Sequence, residues 1–177
     1  MGARSRWAYR ALRLAFLDAG EGLIDSADVR LSEVEKVAAE LVSYDLRAAV
    51  ANLRGVVLAG QDRFDEAETV FREVWSSPTS PRNRKAVAGL ALAACVPPSC
   101  PESPGSPGSP GSPEGADLRG ILVEVGRLTD LLVEPLTRNA LGSLLADITE
   151  RRQAAPTRRH PLHERLSGSP SVLAAFC

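Results

Sequence analysis

The sequence predicts an all-α fold, and three observations support that prediction. Apolar residues make up 44% of the 177 residues, which is enough for a buried core. Aromatic residues make up only 5%, and alanine and leucine recur throughout, which favours closely packed helices over sheets of aromatic and β-branched strands. Along most of the chain the apolar residues also recur at the three- and four-residue spacing of a helix face.

The first 17 residues predict a helix that is rich in arginine and poor in acids. Its buried face is expected to carry Trp7, Ala8, Ala11, Leu12 and Ala15. A mitochondrial presequence has the same composition, so a mitochondrial location is one alternative. The expected location is cytoplasmic, because three cysteines without a secretory segment are typical of a reduced protein.

Two serines mark the predicted starts of the next two helices. Ser32 and Glu35 have the spacing of a capping box, which predicts that a helix begins at Ser32 and extends to about residue 42. Ser43 is expected to cap the following helix, whose apolar pattern ends at Gly60.

A proline-rich segment divides the rest of the chain. Helical spacing continues over residues 64–77 and again from Pro81 onward, so residues 1–96 are assigned to one helical domain. Residues 97–116 repeat Ser-Pro-Gly, a composition that holds neither helix nor strand and predicts a flexible, disordered linker. The Ser-Pro pairs of this linker are either phosphorylation sites or part of an unmodified loop.

Residues 117–150 predict two C-terminal helices that are separated by Pro135. Each helix carries a stripe of apolar residues, and such stripes require burial. Either these helices complete the core of the helical domain, or they form a lid over a binding groove that a partner displaces. Residues 151–177 are polar and contain several prolines, which predicts a disordered tail.

One pattern of small and bulky residues crosses the turn that follows Gly60. Its members are Gly55, Leu58, Phe64, Ala67 and Phe71. Gly55 and Ala67 suit a close approach of two antiparallel helices, and the bulky residues fill the wider gaps. Gly89 and Leu92 repeat Gly55 and Leu58 at a distance of 34 residues. Over residues 48–96 this pattern resembles the tetratricopeptide repeat, whose unit is about 34 residues long.

The resemblance implies a short α-solenoid whose concave groove is lined by the first helix of each hairpin. The groove positions of that family fall on Ala49, Asn52, Val56, Ala59, Asn83 and Leu90. These predicted partner-binding residues are small or apolar apart from two asparagines, so the resemblance implies an apolar helix or extended peptide as partner. A short array also needs capping or association with further helices, which makes a homodimer a further possibility.

The sequence predicts neither an enzyme nor a cofactor or metal site. His160 and His163 lie in the predicted tail, and neither a phosphate-binding glycine loop nor a nucleophile elbow is present. Cys95 and Cys100 lie too far from these histidines along the chain to indicate a zinc site. The net charge of −1 gives no reason to expect a nucleic acid, and no apolar run of about 18 residues predicts a membrane span.

These observations favour a non-enzymatic protein–protein interaction module, an adaptor or assembly subunit that binds a segment of its partner in the concave groove. The alternative hypothesis is a helical regulatory domain of a larger signalling or transcription system. In that case phosphorylation of the Ser-Pro-Gly linker would be the switch, because a phosphate adds charge and strong hydrogen-bond acceptors.

Overall fold

The computed structural model describes residues 2–95 and 113–154. Over these ranges the chain forms seven helices and no strand, which confirms the all-α prediction. The helices are α1 (Ala3–Gly20), α2 (Ile24–Glu40), α3 (Tyr44–Gly60), α4 (Phe64–Ser76), α5 (Arg82–Cys95), α6 (Pro113–Asp130) and α7 (Pro135–Ala154). Most of the predicted linker, with its Ser-Pro serines, and most of the predicted tail lie outside the described residues.

Two sequence predictions about the N-terminal helices are wrong. Helix α2 begins at Ile24, and Ser32 lies in its middle, where the serine hydroxyl donates to the Asp28 carbonyl at 2.9 Å. The capping-box spacing has that meaning only where a helix starts, because inside a helix the serine bonds to the backbone of the preceding turn. Trp7 is 44% exposed, although the other four residues predicted for its face are buried.

Other predicted boundaries are confirmed. Ser43 caps α3, since its hydroxyl accepts a hydrogen bond from the Leu46 amide at 3.3 Å. Helix α3 ends at Gly60, as predicted from the end of its apolar pattern. Pro135 is the first residue of α7, a position that needs no intrahelical N–H donor, so the proline separates α6 from α7.

The first two helical hairpins, α1–α2 (hairpin 1) and α3–α4 (hairpin 2), are copies forty residues apart. Equivalent pairs are Ala19/Ala59, Gly20/Gly60, Ile24/Phe64, Asp25/Asp65, Ala27/Ala67, Leu31/Phe71 and Val34/Val74. The backbone hydrogen bonds of the two turns also recur at that offset. The middle turn residue has a positive φ in both copies, 79° at Gly22 and 61° at Asp62, which is a conformation that glycine and aspartate tolerate.

The helices pack in a regular order. Each helix contacts the next one along the chain, and the odd-numbered helices contact one another in the pairs α1–α3, α3–α5 and α5–α7. We call the side formed by these four helices the odd-helix side. The apolar stripes of the C-terminal helices belong to the same core, with Val125 of α6 and Leu141 of α7 fully buried.

Two glycines mark close approaches between helices. A Cβ at Gly55 of α3 would lie 2.5 Å from the ring of Phe71 on α4, so Gly55 leaves room for an aromatic ring that was expected to fill a wider gap. A Cβ at Gly89 of α5 would lie 2.5 Å from Val125 of α6 and 2.7 Å from Trp75 of α4. Helix α6 therefore packs on α5 as α4 packs on α3, although a much longer segment connects α5 to α6.

Candidate partner-binding surface

The six residues predicted to bind a partner do not form an accessible surface. Asn83 is half-buried, and the others are at most 8% exposed, namely Ala49, Asn52, Val56 and Ala59 on α3 and Leu90 on α5. Helix α3 packs against α1, α2, α4 and α5, so little of its surface is left exposed. Side chains buried within one chain offer no surface to a second chain, so any contact surface on the odd-helix side lies elsewhere.

Asn52 instead takes part in a series of hydrogen bonds that joins three helices. Its side-chain amide donates to the Arg84 carbonyl at 3.0 Å. The Arg84 side chain is almost fully buried and donates to the Asp45 carboxylate at 2.9 Å. The Tyr9 hydroxyl donates to the same carboxylate at 2.7 Å. The series Tyr9–Asp45–Arg84 therefore links α1, α3 and α5 on the odd-helix side.

These linked groups alter each other's ionisation. Burial of Asp45 acts to raise its pKa, but the hydrogen bond and positive charge of Arg84, together with the hydrogen bond from Tyr9, outweigh burial and hold the pKa below its ordinary value. The pKa of Tyr9 is raised, first by burial and then by its hydrogen bond to the Asp45 carboxylate. At neutral pH Asp45 is therefore a carboxylate that is already occupied by Arg84 and Tyr9.

An open concavity of about 400 Å³ lies beside this series, between α1 and α3. It is lined by Arg6, Tyr9, Arg10, Arg13 and Asp45. The three arginines are exposed and recur at the spacing of one helix face. Within the described part of the chain no carboxylate lies at ion-pairing distance from any of them. The concavity is therefore basic and can receive anionic groups.

Sequence reasoning did not identify these arginines as a binding set. Their spacing on one helix face is visible in the sequence, but the neighbouring helix α3 that makes the surface concave is not. The forty-residue repeat is the signal that could have located it. That repeat identifies α1 and α3 as equivalent helices of adjacent hairpins, and equivalent helices of stacked hairpins lie side by side.

Neither a metal site nor a membrane span is found in the described ranges. No group of three or more His, Cys, Asp or Glu side chains there could hold a metal ion. No described helix combines the length and the apolar character needed to cross a membrane. Comparisons with known proteins give no matching family model, no similar curated protein and no similar solved structure.

Proposed function

We propose that this protein is a non-enzymatic protein–protein interaction module, an adaptor or assembly subunit built from stacked helical hairpins that resemble tetratricopeptide repeats. Two features support the proposal. Hairpins 1 and 2 match each other at an offset of forty residues, so the chain repeats a helical hairpin that is slightly longer than the tetratricopeptide unit. The odd-numbered helices contact one another in series, as the first helices of the hairpins do in a solenoid.

The observation that carries the proposal is the basic concavity between α1 and α3. Arg6, Arg10 and Arg13 are exposed there without carboxylate partners among the described residues. A guanidinium binds a carboxylate through two parallel hydrogen bonds, which is a strong and directional contact. The partner segment we propose is therefore an acidic helix or extended peptide. It is acidic rather than apolar because the apolar positions that the resemblance implied are buried.

A protein partner fits this surface better than a nucleic acid does. The chain has a net charge of −1, and the outward positions of the neighbouring hairpin helices carry exposed acids, among them Asp25 and Glu33 of α2 and Asp65 of α4. Three arginines neutralise few phosphates, and a nucleic-acid site normally has a more extended basic surface. A short acidic segment needs only Arg6 and Arg13 of this surface to bind.

Affinity capture from a cell extract followed by direct binding tests this proposal. The wild-type protein is compared with an Arg6→Ser/Arg13→Ser variant, and circular dichroism verifies that both are equally helical. We expect a protein captured by the wild type to bind the double variant at least about tenfold more weakly, which corresponds to about 1.4 kcal/mol. The loss follows from removing two charge-assisted hydrogen-bond donors.

A matched control removes two arginines that already have partners. Arg63 pairs with Glu66 and Arg127 pairs with Glu124, and both arginines are exposed. The Arg63→Ser/Arg127→Ser variant should bind as the wild type does. Equal binding by wild type and the Arg6→Ser/Arg13→Ser variant contradicts the proposed surface. Capture that disappears after nuclease treatment contradicts a protein partner.

The alternative of a phosphorylation-switched regulatory domain rests on the linker serines. Those serines lie outside the described residues, so that alternative stays a prediction.

A further inference from the structure

Hairpin 1 has a second exposed surface, on the side of α1 that faces away from the core. Trp7, Leu14 and Leu17 are 44%, 48% and 45% exposed. With the exposed Arg10 they follow the order Trp7, Arg10, Leu14 and Leu17 along the chain. The spacings of three, four and three residues place all four on one face of the helix. We call these four residues the outer face of α1. Three large apolar side chains beside a cation that has no ion pair among the described residues form a surface that another helix can cover.

The forty-residue repeat shows what the corresponding face does in hairpin 2. Trp7 and Leu14 are equivalent to Arg47 and Arg54 of α3. Arg47 donates to two backbone carbonyls near the end of α2, and Arg54 forms ion pairs with two carboxylates of α2. The face of α3 that corresponds to the outer face of α1 is therefore covered by an acidic helix.

An acidic face is exposed on the other helix of hairpin 1. A shallow concavity of about 420 Å³ on α2 is lined by Asp25, Ser26, Val29, Arg30 and Glu33. Asp25, Val29 and Glu33 are exposed and spaced four residues apart, and we call them the acidic face of α2. Neither carboxylate has an ion pair among the described residues. Ser26 and Arg30 both donate to Asp18 of α1, so this concavity borders the seam between α1 and α2.

We propose that two copies of this chain form a twofold-symmetric dimer through hairpin 1. The outer face of α1 in one copy contacts the acidic face of α2 in the other. A twofold axis makes this contact twice, because each copy supplies one basic, apolar face and one acidic face. Arg10 then lies against the carboxylates of the acidic face, and Trp7 and Leu14 pack on Val29.

A second copy of α2 fits the outer face of α1 better than the other surfaces that could cover it. Two α1 helices placed with their outer faces together would bring Arg10 of both copies into one interface, and like charges in an interface are unfavourable. An anionic bilayer would attract α1 but repel Asp25 and Glu33 at the edge of the same hairpin. The proposed pairing repeats a contact that the chain already makes, in which arginine of α3 binds carboxylates of α2.

Charge reversal on each face tests the dimer, with the dissociation constant measured by light scattering and sedimentation of the full chain. We expect the wild type to dimerise, and Arg10→Glu and Glu33→Arg each to weaken the dimer at least about tenfold, since each change places like charges opposite one another. An equal mixture of the two variants should dimerise again. In the mixed dimer one of the two contacts places the new glutamate at position 10 of one chain opposite the new arginine at position 33 of the other. The second contact keeps the wild-type Arg10 and Glu33.

Three further variants make the test specific. Leu14→Ser should also weaken the dimer, because it removes apolar contact from the interface. Arg63→Glu changes an exposed charge directly before α4 and should leave dimerisation unchanged. Arg10 borders both surfaces, whereas Arg6 and Arg13 lie outside the outer face of α1. The Arg6→Ser/Arg13→Ser variant should therefore still dimerise, which separates failure of the dimer from failure of the proposed partner surface. All the substituted side chains are exposed, and circular dichroism verifies that each variant is folded.

The inference is overturned by a wild type that stays monomeric over the whole concentration range. It is also overturned by a dimer that neither charge reversal weakens, or by two monomeric variants that do not associate when mixed. Binding of a monomeric wild type to mixed phosphatidylcholine–phosphatidylserine vesicles, lost on Arg10→Glu, would assign the outer face of α1 to a membrane surface instead.

Discussion

The α2–α3 and α4–α5 junctions join equivalent helices through different chemistry. At the α2–α3 junction, Arg54 of α3 forms ion pairs with Asp28 and Glu35 of α2. The residue equivalent to Glu35 in hairpin 2 is Trp75 of α4, whose ring lies against Gly89 of α5. A hairpin that is duplicated in its turn and its core therefore presents a carboxylate to the next helix in one copy and an indole in the other.

This difference predicts what each junction is sensitive to. The α4–α5 junction depends on shape, because an aromatic ring occupies the space that a side chain at Gly89 would need. The α2–α3 junction depends on charge, so it should respond to salt and pH. Steric changes should therefore have their largest effect at α4–α5, and changes of ionic conditions at α2–α3.

The largest effect is expected for Gly89→Ala. The added Cβ would lie 2.5 Å from Val125 of α6 and 2.7 Å from Trp75 of α4, so it would clash with side chains of two helices. Overpacking of this kind costs about 1–3 kcal/mol, and the better helix propensity of alanine offsets about 1 kcal/mol. Because both neighbours are affected, we expect a net loss toward the upper end of this difference, up to about 2 kcal/mol in the free energy of unfolding, measured by urea denaturation.

Gly120→Ala is the matched control for this substitution. Gly120 also lies inside a helix, but nothing lies within 4 Å of a Cβ built there. The same change should therefore stabilise the protein by about 0.5–1 kcal/mol through helix propensity. Equal effects at the two glycines would contradict the steric account of the α4–α5 junction.

The sequence predicted local features better than contacts between distant segments. The Ser43 cap, the end of α3 at Gly60 and the proline break before α7 depend on neighbouring residues, and they were predicted correctly. The burial of Ala49 and Leu90 depends on how many helices surround α3 and α5. The residue pattern within one helix does not predict that number. The contact of Gly89 with Val125 joins residues on both sides of the predicted linker, so spacing along the chain could not predict it.

A smaller effect is expected where hairpins 1 and 2 differ in their core. Gly55 and Phe71 of hairpin 2 are equivalent to Ala15 and Leu31 of hairpin 1, which are also fully buried. Gly55→Ala alone should lower the free energy of unfolding by about 1 kcal/mol, because its Cβ meets the Phe71 ring. Adding Phe71→Leu, which recreates the pair found in hairpin 1, should recover part of that loss.

A double-mutant cycle measures this recovery. The free energies of unfolding of the wild type, the two single variants and the double variant give the coupling between the two positions. We expect the double variant to be more stable than the sum of the single changes predicts, by about 0.5–1 kcal/mol. Strict additivity would mean that positions 55 and 71 are not coupled, so that the pair Ala15 and Leu31 of hairpin 1 cannot replace Gly55 and Phe71 as a unit.

The smallest effect is expected at the α2–α3 junction. Arg54→Gln removes both ion pairs, but the three charged side chains are 21%, 35% and 37% exposed, so water screens them. We expect a loss of about 0.5–1 kcal/mol at low salt, which shrinks in about 1 M salt. Arg63→Gln, which removes a more exposed pair with Glu66 within one helix turn, should change stability by a few tenths of a kcal/mol at most.

The pH dependence of the Arg54→Gln effect separates charge from shape at the two junctions. The hydrogen bond from Arg54 is the main cause that lowers the pKa of Asp28, against the opposing effect of burial. A carboxyl group whose pKa is lower in the folded state stabilises the fold above its ordinary pKa, and that stabilisation is lost as the pH falls through the lowered value. The difference in unfolding free energy between wild type and Arg54→Gln should therefore be constant near neutral pH and shrink below about pH 4. Carboxyl groups elsewhere, including Asp45, titrate in both proteins and cancel in this difference.

Gly89→Ala is the comparison for this pH dependence. Its effect on the free energy of unfolding is steric and should stay constant over the same pH range. A parallel decrease of both effects at low pH would mean that the two junctions do not differ in chemistry.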